Sequence, residues 1–122
     1  MPPAPTPTTY DDLVAPSNAA IDRWNAAADV VDLAGIRHVS GELAALLTEF
    51  ASGLQHLDWP TQARPHADAL AAGLVLEVTW YRAVAACADD ESTVAALGAP
   101  WSDEAVEAAA LLREALGDTA QH

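Results

Sequence analysis

Glu77 is the residue whose setting most invites a chemical question. It lies within Leu74-Val75-Leu76-Glu77-Val78-Thr79-Trp80-Tyr81, where helical spacing sets one carboxylate between two apolar stripes and beside two aromatic rings. A half-buried carboxylate there can recognise a cation or pair with an arginine from another helix. The competing reading is a side chain that reaches solvent at a helix edge. Glu77, Trp80 and Tyr81 are therefore the candidate binding residues.

Other chemistries find less support. Paired-iron bundles need Glu-x-x-His on two helices with two further glutamates, and the chain has no Glu-x-x-His. His38 and Glu42 sit one helical turn apart, but on a polar face. His56, Asp58 and His66 flank one turn and form the one trio that could converge on an ion; capping and solvation explain them without a metal. The only methionine is Met1 and no Cys-x-x-Cys-His occurs, so neither covalent haem nor a Met/His axial pair is available. Cys87 has no histidine three or four positions away and falls on an apolar stripe, which predicts a buried, unactivated thiol. No glycine spacing resembles a phosphate loop. The expectation is a protein without catalytic residues, resident metal or cofactor.

Helices must position these residues. Hydrophobic residues make up 52% of the 122-residue chain, yet 29 of them are Ala. Ala-rich sequence favours helix throughout, and a Leu/Ala core lets axes approach toward the ~8 Å end of the usual range. The first helix is expected from Thr9, with a seam of Tyr10, Val14, Ser17, Ile21, Trp24, Ala28 and Val31 and a solvated stripe of Asn18, Asp22, Asn25 and Asp29. Pro16 should bend it. A second helix, capped by Asp32, buries Ile36, Val39, Leu43, Leu46, Leu47, Phe50, Leu54 and Leu57. Gly35, Gly41 and Gly53 weaken it by roughly 1 kcal/mol each, which close backbone contact with a neighbour would explain.

The third helix should open at Pro60, bend at Pro65 and run to about Cys87. It carries two apolar stripes, Leu70, Leu74, Val78, Tyr81, Ala85 and Leu76, Trp80, Val84, Cys87. One stripe suffices for a bundle, so the second must meet the bent part of another helix, a ligand or a second copy. The fourth helix is split. One piece begins at Asp89-Asp90-Glu91-Ser92 and ends near Gly98-Ala99-Pro100. The other is capped by Ser102, points Val106, Ala109, Leu112 and Leu116 inward, and stops at Gly117. Trp59 and Trp101, next to prolines, should plug the bundle's ends. Short connections make neighbours antiparallel. The prediction is an all-α, up-and-down four-helix bundle over residues 9–118, with bent first and third helices. A disordered Pro/Thr-rich tether over 1–8 precedes it and a flexible tail over 119–122 follows.

Charge and length narrow the partners. Eighteen carboxylates against five arginines leave a net charge of −13, which opposes binding to nucleic acid or anionic membrane. No apolar run reaches the 18 residues of a transmembrane helix. Met1-Pro2-Pro3 has neither the basic nor the apolar segment of a signal peptide, leaving a cytosolic chain or an exported one whose leader lies upstream.

Several runs resemble a helical-bundle domain of actinobacterial secreted proteins and lipoproteins. They are Tyr10-Asp11-Asp12-Leu13-Val14-Ala15-Pro16, Asn18-Ala19-Ala20-Ile21-Asp22-Arg23-Trp24-Asn25-Ala26-Ala27, Asp58-Trp59-Pro60 and Leu112-Arg113-Glu114-Ala115-Leu116-Gly117. The resemblance spans most of residues 10–117. It implies an exported module, commonly tethered through a lipid-modified cysteine upstream of a Pro/Thr-rich spacer such as residues 2–8, and it transfers no activity.

The favoured expectation is a non-enzymatic cell-envelope or secreted module acting through protein–protein contact, as an accessory or sensor lipoprotein, extracellular or at the cell surface. One alternative is a carrier holding an apolar molecule, haem or a metal between the first and third helices. Another is a cytoplasmic homodimer joined through the Trp80 stripe. The seam generates one stability prediction. Trp24→Ala should cost about 3–5 kcal/mol, and a denaturant midpoint unchanged by that substitution would refute the seam.

Overall fold

The computed structural model describes residues 10–120. The expected tether over 1–8, the helix start at Thr9 and residues 121–122 lie outside them. The described chain is helical, without strands: α1 Tyr10–Asp29, α2 Leu33–His56, α3 Arg64–Ala85, α4 Asp90–Leu97 and α5 Glu104–Ala120.

The second helix matches its pattern closely. Ile36, Val39, Leu43, Leu47, Phe50 and Leu54 are all buried, and the Asp32 carboxylate accepts a hydrogen bond from the Gly35 amide at 3.0 Å, the expected cap. α2 packs most extensively on α3, α1 lies on α2, and α5 lies on α3; among the described residues no close backbone approach joins α1 to α5. Ala20, Ala63, Ala67, Ala71, Ala105 and Ala108 are buried alongside the leucines.

The tightest approach is between α3 and α5. A Cβ added at Gly73 would stand 2.6 Å from the Ala105 nitrogen and 2.8 Å from its Cα, so only glycine fits. The close-contact role expected of Gly35, Gly41 and Gly53 belongs here instead. A Cβ at Gly35 would collide with the Asp32 cap, one at Gly53 with the Leu13 side chain, and one at Gly41 would make ordinary contact with Ala85.

This approach also rotates α5 relative to expectation. Ala105, Ala108 and Leu112 are buried, whereas Val106 is 55% exposed and Ala109 and Leu116 are only half-buried. A small residue must face Gly73, so the alanines take the interface and the larger Val106 turns outward. The helix also continues past Gly117 to Ala120, so that glycine is not its stop and the expected tail from 119 begins within the helix.

The third helix starts later than expected. Pro60–Ala63 form a turn in which the Ala63 and Arg64 amides donate to the Pro60 carbonyl at 2.9 and 3.1 Å. Pro65 therefore occupies the first turn of α3, where a missing N–H leaves no bond unmade. α1 continues as helix through Pro16.

The second stripe of α3 is largely covered by this chain itself. Val84 is fully buried, and the Trp80 indole donates to the Ala99 carbonyl at 3.3 Å. Cys87 is half-buried rather than buried, its sulfur 3.3 Å from the Ala83 carbonyl and 3.4 Å from the Ser92 carbonyl. Leu76 remains 44% exposed. α4 is held by a reciprocal cap between Asp89 and Ser92 and by Arg37, which donates to Asp90 at 3.0 Å and to the buried Thr93 hydroxyl at 2.9 Å.

Val31 departs from the expected seam. α1 ends at Asp29, and Val31 is 72% exposed with φ of 53°. The Asp32 amide reaches back to the Ala27 carbonyl at 2.8 Å and the Val31 amide to Ala28 at 3.1 Å. That double bond pattern is the Schellman termination, whose left-handed position favours glycine. A β-branched residue is strained there. Val31→Gly should therefore stabilise the fold by about 1 kcal/mol, read as a raised melting temperature; an unchanged or lowered one would argue against this strain.

Candidate ligand-binding cleft

Because α1 and α5 stand apart, a cleft opens between them, floored by α2 and α3. It measures about 180 Å³, comparable with the ~150 Å³ that admits a benzene-sized guest. Its walls are mainly apolar: Val14 and Ile21 from α1, Leu47 and Phe50 from α2, Leu70 and Leu74 from α3, and Ala105, Val106 and Ala109 from α5.

Two deeply placed polar side chains interrupt that lining. Ser17 is 2% exposed, and its hydroxyl oxygen has no hydrogen-bond partner. Ser17 occupies a seam position between Val14 and Ile21, so helix geometry aims it inward. Glu77 is 9% exposed, and among the described residues no hydrogen bond or ion pair engages it. Burial raises its carboxyl from the usual 4.5 to about 7. Each such group carries an unrecovered desolvation cost, roughly 1–3 kcal/mol for a neutral donor or acceptor.

Arg113, Asn18 and Tyr10 complete the polar lining. The expected pairing of Glu77 with an arginine from another helix is not made. The Arg113 charge acts instead on the Tyr10 phenol, partly offsetting the rise that burial imposes on it.

Trp80 and Tyr81 do not line the cleft. They form an aromatic cluster above it with Trp24 and Trp101, ring centroids 5.0–6.4 Å apart. The Trp24 indole also donates to Ser40 at 3.0 Å. Tyr81, one turn beyond Glu77, is pushed up to about 12, by burial first and then by the charge of Glu77. At the other end Trp59 donates to the Leu54 carbonyl at 2.7 Å, the plugging role expected of it.

His56, Asp58 and His66 do not converge. No group of three or more metal-ligating side chains occurs among the described residues, and the His56 ring engages the Ser52 carbonyl at 2.7 Å. Haem fits no better. The cleft has room for about one ring, and no imidazole, thiol or thioether lines it.

Two larger depressions offer less. One of about 530 Å³ is lined by Pro16, Ala19, Arg23, Glu42, Ala45 and Leu46, where Arg23 pairs with Glu42 at 2.6 Å and the His38 ring lies 2.8 Å from it. Another of about 380 Å³ lies between α2 and α3, among mostly exposed side chains such as Gln55, Asp68 and Val75. No family model, curated protein or solved structure matches the chain.

Sequence reasoning singled out Glu77 but missed Ser17, Arg113, Tyr10 and Asn18 as its neighbours. A signal existed for Ser17, the one hydroxyl among the apolar residues of its seam. The buried carboxyl also sets a pH dependence. A group whose folded value exceeds its unfolded one holds more protons when folded, so stability falls as pH rises between the two values. From 4.5 to about 7 this amounts to roughly 3 kcal/mol. Wild-type protein should therefore lose about that much relative to Glu77→Gln between pH 4.5 and 7.5. Chemical denaturation of both across that window tests it, and parallel stability curves would rule it out.

Proposed function

We propose that this protein is a small-molecule-binding module that holds a guest of about one ring between α1 and α5 without transforming it. The observation that carries this reading is that the Ser17 hydroxyl, buried without a partner, and the Glu77 carboxyl, 9% exposed, both line one apolar cleft. A ligand that bonds to them recovers the desolvation cost the empty fold bears. Apolar walls with a few polar groups that fix orientation are the usual make-up of ligand sites.

The sequence resemblance supports placing this module outside the cell or on its surface, as a carrier or sensor whose loaded state a protein partner reads. The same reading takes the four long helices as an up-and-down bundle, with α4 and α5 as its split fourth member. Leu13 beside Gly53 and Trp24 bonded to Ser40 support opposite directions for α1 and α2.

Benzyl alcohol is a fitting first probe. Its titration into isotope-labelled protein should shift amide resonances at Val14, Ser17, Leu74 and Ala109, with saturable, millimolar-or-better affinity. Ala109→Phe, which fills the cleft from α5, should abolish the shifts while the protein stays folded. Absence of saturable shifts, or shifts indifferent to the filled cleft, would discard the reading.

A further inference from the structure

The geometry points to an organic ammonium ion with a single compact apolar substituent as the ligand of this cleft, its nitrogen bound between the Glu77 carboxylate and Ser17 Oγ. The inference rests on the cleft being a ligand site and adds the charge of what enters it.

Four observations select this class. First, the two unsatisfied groups are acceptors or can act as such. A carboxylate accepts through two oxygens and a hydroxyl through its lone pairs, whereas an ammonium group supplies several N–H donors from one atom. Ser17 cannot discharge its capacity locally, because its hydroxyl reaches no backbone carbonyl.

Second, the competing cation within the chain acts elsewhere. Arg113 faces the same space, but its charge acts on the Tyr10 phenol. Above about pH 7, where Glu77 is ionised, a cationic guest supplies the charge that no side chain places beside it.

Third, a bare metal ion is a poor occupant. The cleft presents one carboxylate, two hydroxyls and one amide among apolar walls, with the Arg113 cation beside them, while hard divalent cations want six or more oxygen ligands or retained waters. Above about pH 7 an ionised Glu77 opposes an anion, as does the overall charge of −13, which instead draws cations toward the surface.

Fourth, the remaining wall is apolar. Leu47, Phe50, Leu70 and Leu74 form a floor without a titratable side chain. It offers the substituent hydrophobic contact and leaves the nitrogen to the polar end.

Entry of the cation couples to a proton. The other titratable groups facing this space are Tyr10 from α1 and Arg113 from α5, with Tyr81 one turn along α3; the lining contributed by α2 carries none. Both phenols are raised above their usual value and stay neutral, so Glu77 alone titrates near neutrality. Below about pH 7 it is protonated; an arriving ammonium displaces that proton to solvent and pairs with the carboxylate. Alkylamines resemble lysine in staying protonated throughout.

The test compares benzylamine with its neutral counterpart, benzyl alcohol, by calorimetry or resonance shifts on the intact chain. At pH 8 benzylamine should bind roughly 10–100-fold more tightly, the increment of a hydrogen bond to a charged partner. That preference should shrink at pH 5.5. Glu77→Gln should bring the ratio of amine to alcohol affinity close to one, with both probes titrated into the same variant. Ser17→Ala, which keeps the carboxylate, should weaken benzylamine by roughly 2–10-fold and provides a second handle should the glutamine variant fold poorly. If benzyl alcohol binds to the wild type as well as the amine at pH 8, or the preference survives Glu77→Gln, the ammonium assignment fails while the cleft stands as a site for neutral guests. If neither probe binds, the cleft reading fails and this one with it.

Discussion

The contact between Gly73 and Ala105 governs the arrangement of everything around it. Two helix backbones touch there with no side chain between them, which draws α5 onto α3 more closely than larger residues would permit. α1, by contrast, is seated on α2 through larger groups, including Leu13 against Gly53 and Trp24 against Ser40. A helix pressed onto one side of a two-helix floor and another seated on the far side leave an opening between them. The cleft thus lies between two outer helices that share a floor but not a contact among the described residues, with no loop or lid required to form it.

What that opening contains works against folding. A bundle of this size could place leucine at 77 and alanine at 17 and gain from both exchanges, since apolar replacements of buried polar groups are often neutral or stabilising. Instead the interior keeps an acid whose charged form is penalised by burial and a hydroxyl without a partner. Groups that reduce stability where no neighbour satisfies them mark functional positions more reliably than groups that merely line a surface. The rest of the fold compensates through the Leu/Ala interior and through specific ties such as Arg37, which fixes the short α4 to α2 through Asp90 and Thr93.

Much of this was legible in the residues, and the failures have identifiable causes. The buried face of α2 emerged from spacing because Leu43, Leu47, Phe50 and Leu54 are large and closely repeated. On α5 Leu112 is buried as its spacing predicts, but Val106 is not, because the requirement at Gly73 is for the smallest side chain available. Val31 continued an apolar rhythm beyond the point where the Schellman hydrogen bonds had already ended the helix. Glu77 stood out as a lone carboxylate between apolar stripes, but its company did not. Whether α1 closes against α5 depends on distances set by residues far apart in the chain, to which local periodicity is blind. The second stripe of α3 raised the right question; α4 and the segment around Ala99 and Trp101 supply most of its answer.

The grouping of Trp24, Trp80 and Trp101 with Tyr81 has an optical consequence. Three of the four indoles lie within exciton and energy-transfer range of one another, at the junction of α1, α3 and the stretch leading into α5, while Trp59 sits alone at the opposite end. Ultraviolet emission from this chain is therefore dominated by one locality, and near-ultraviolet circular dichroism carries the signature of its coupled rings. Any movement of α1 relative to α3 changes that signal directly, so the molecule carries an intrinsic gauge of the spacing between the helices that frame its interior.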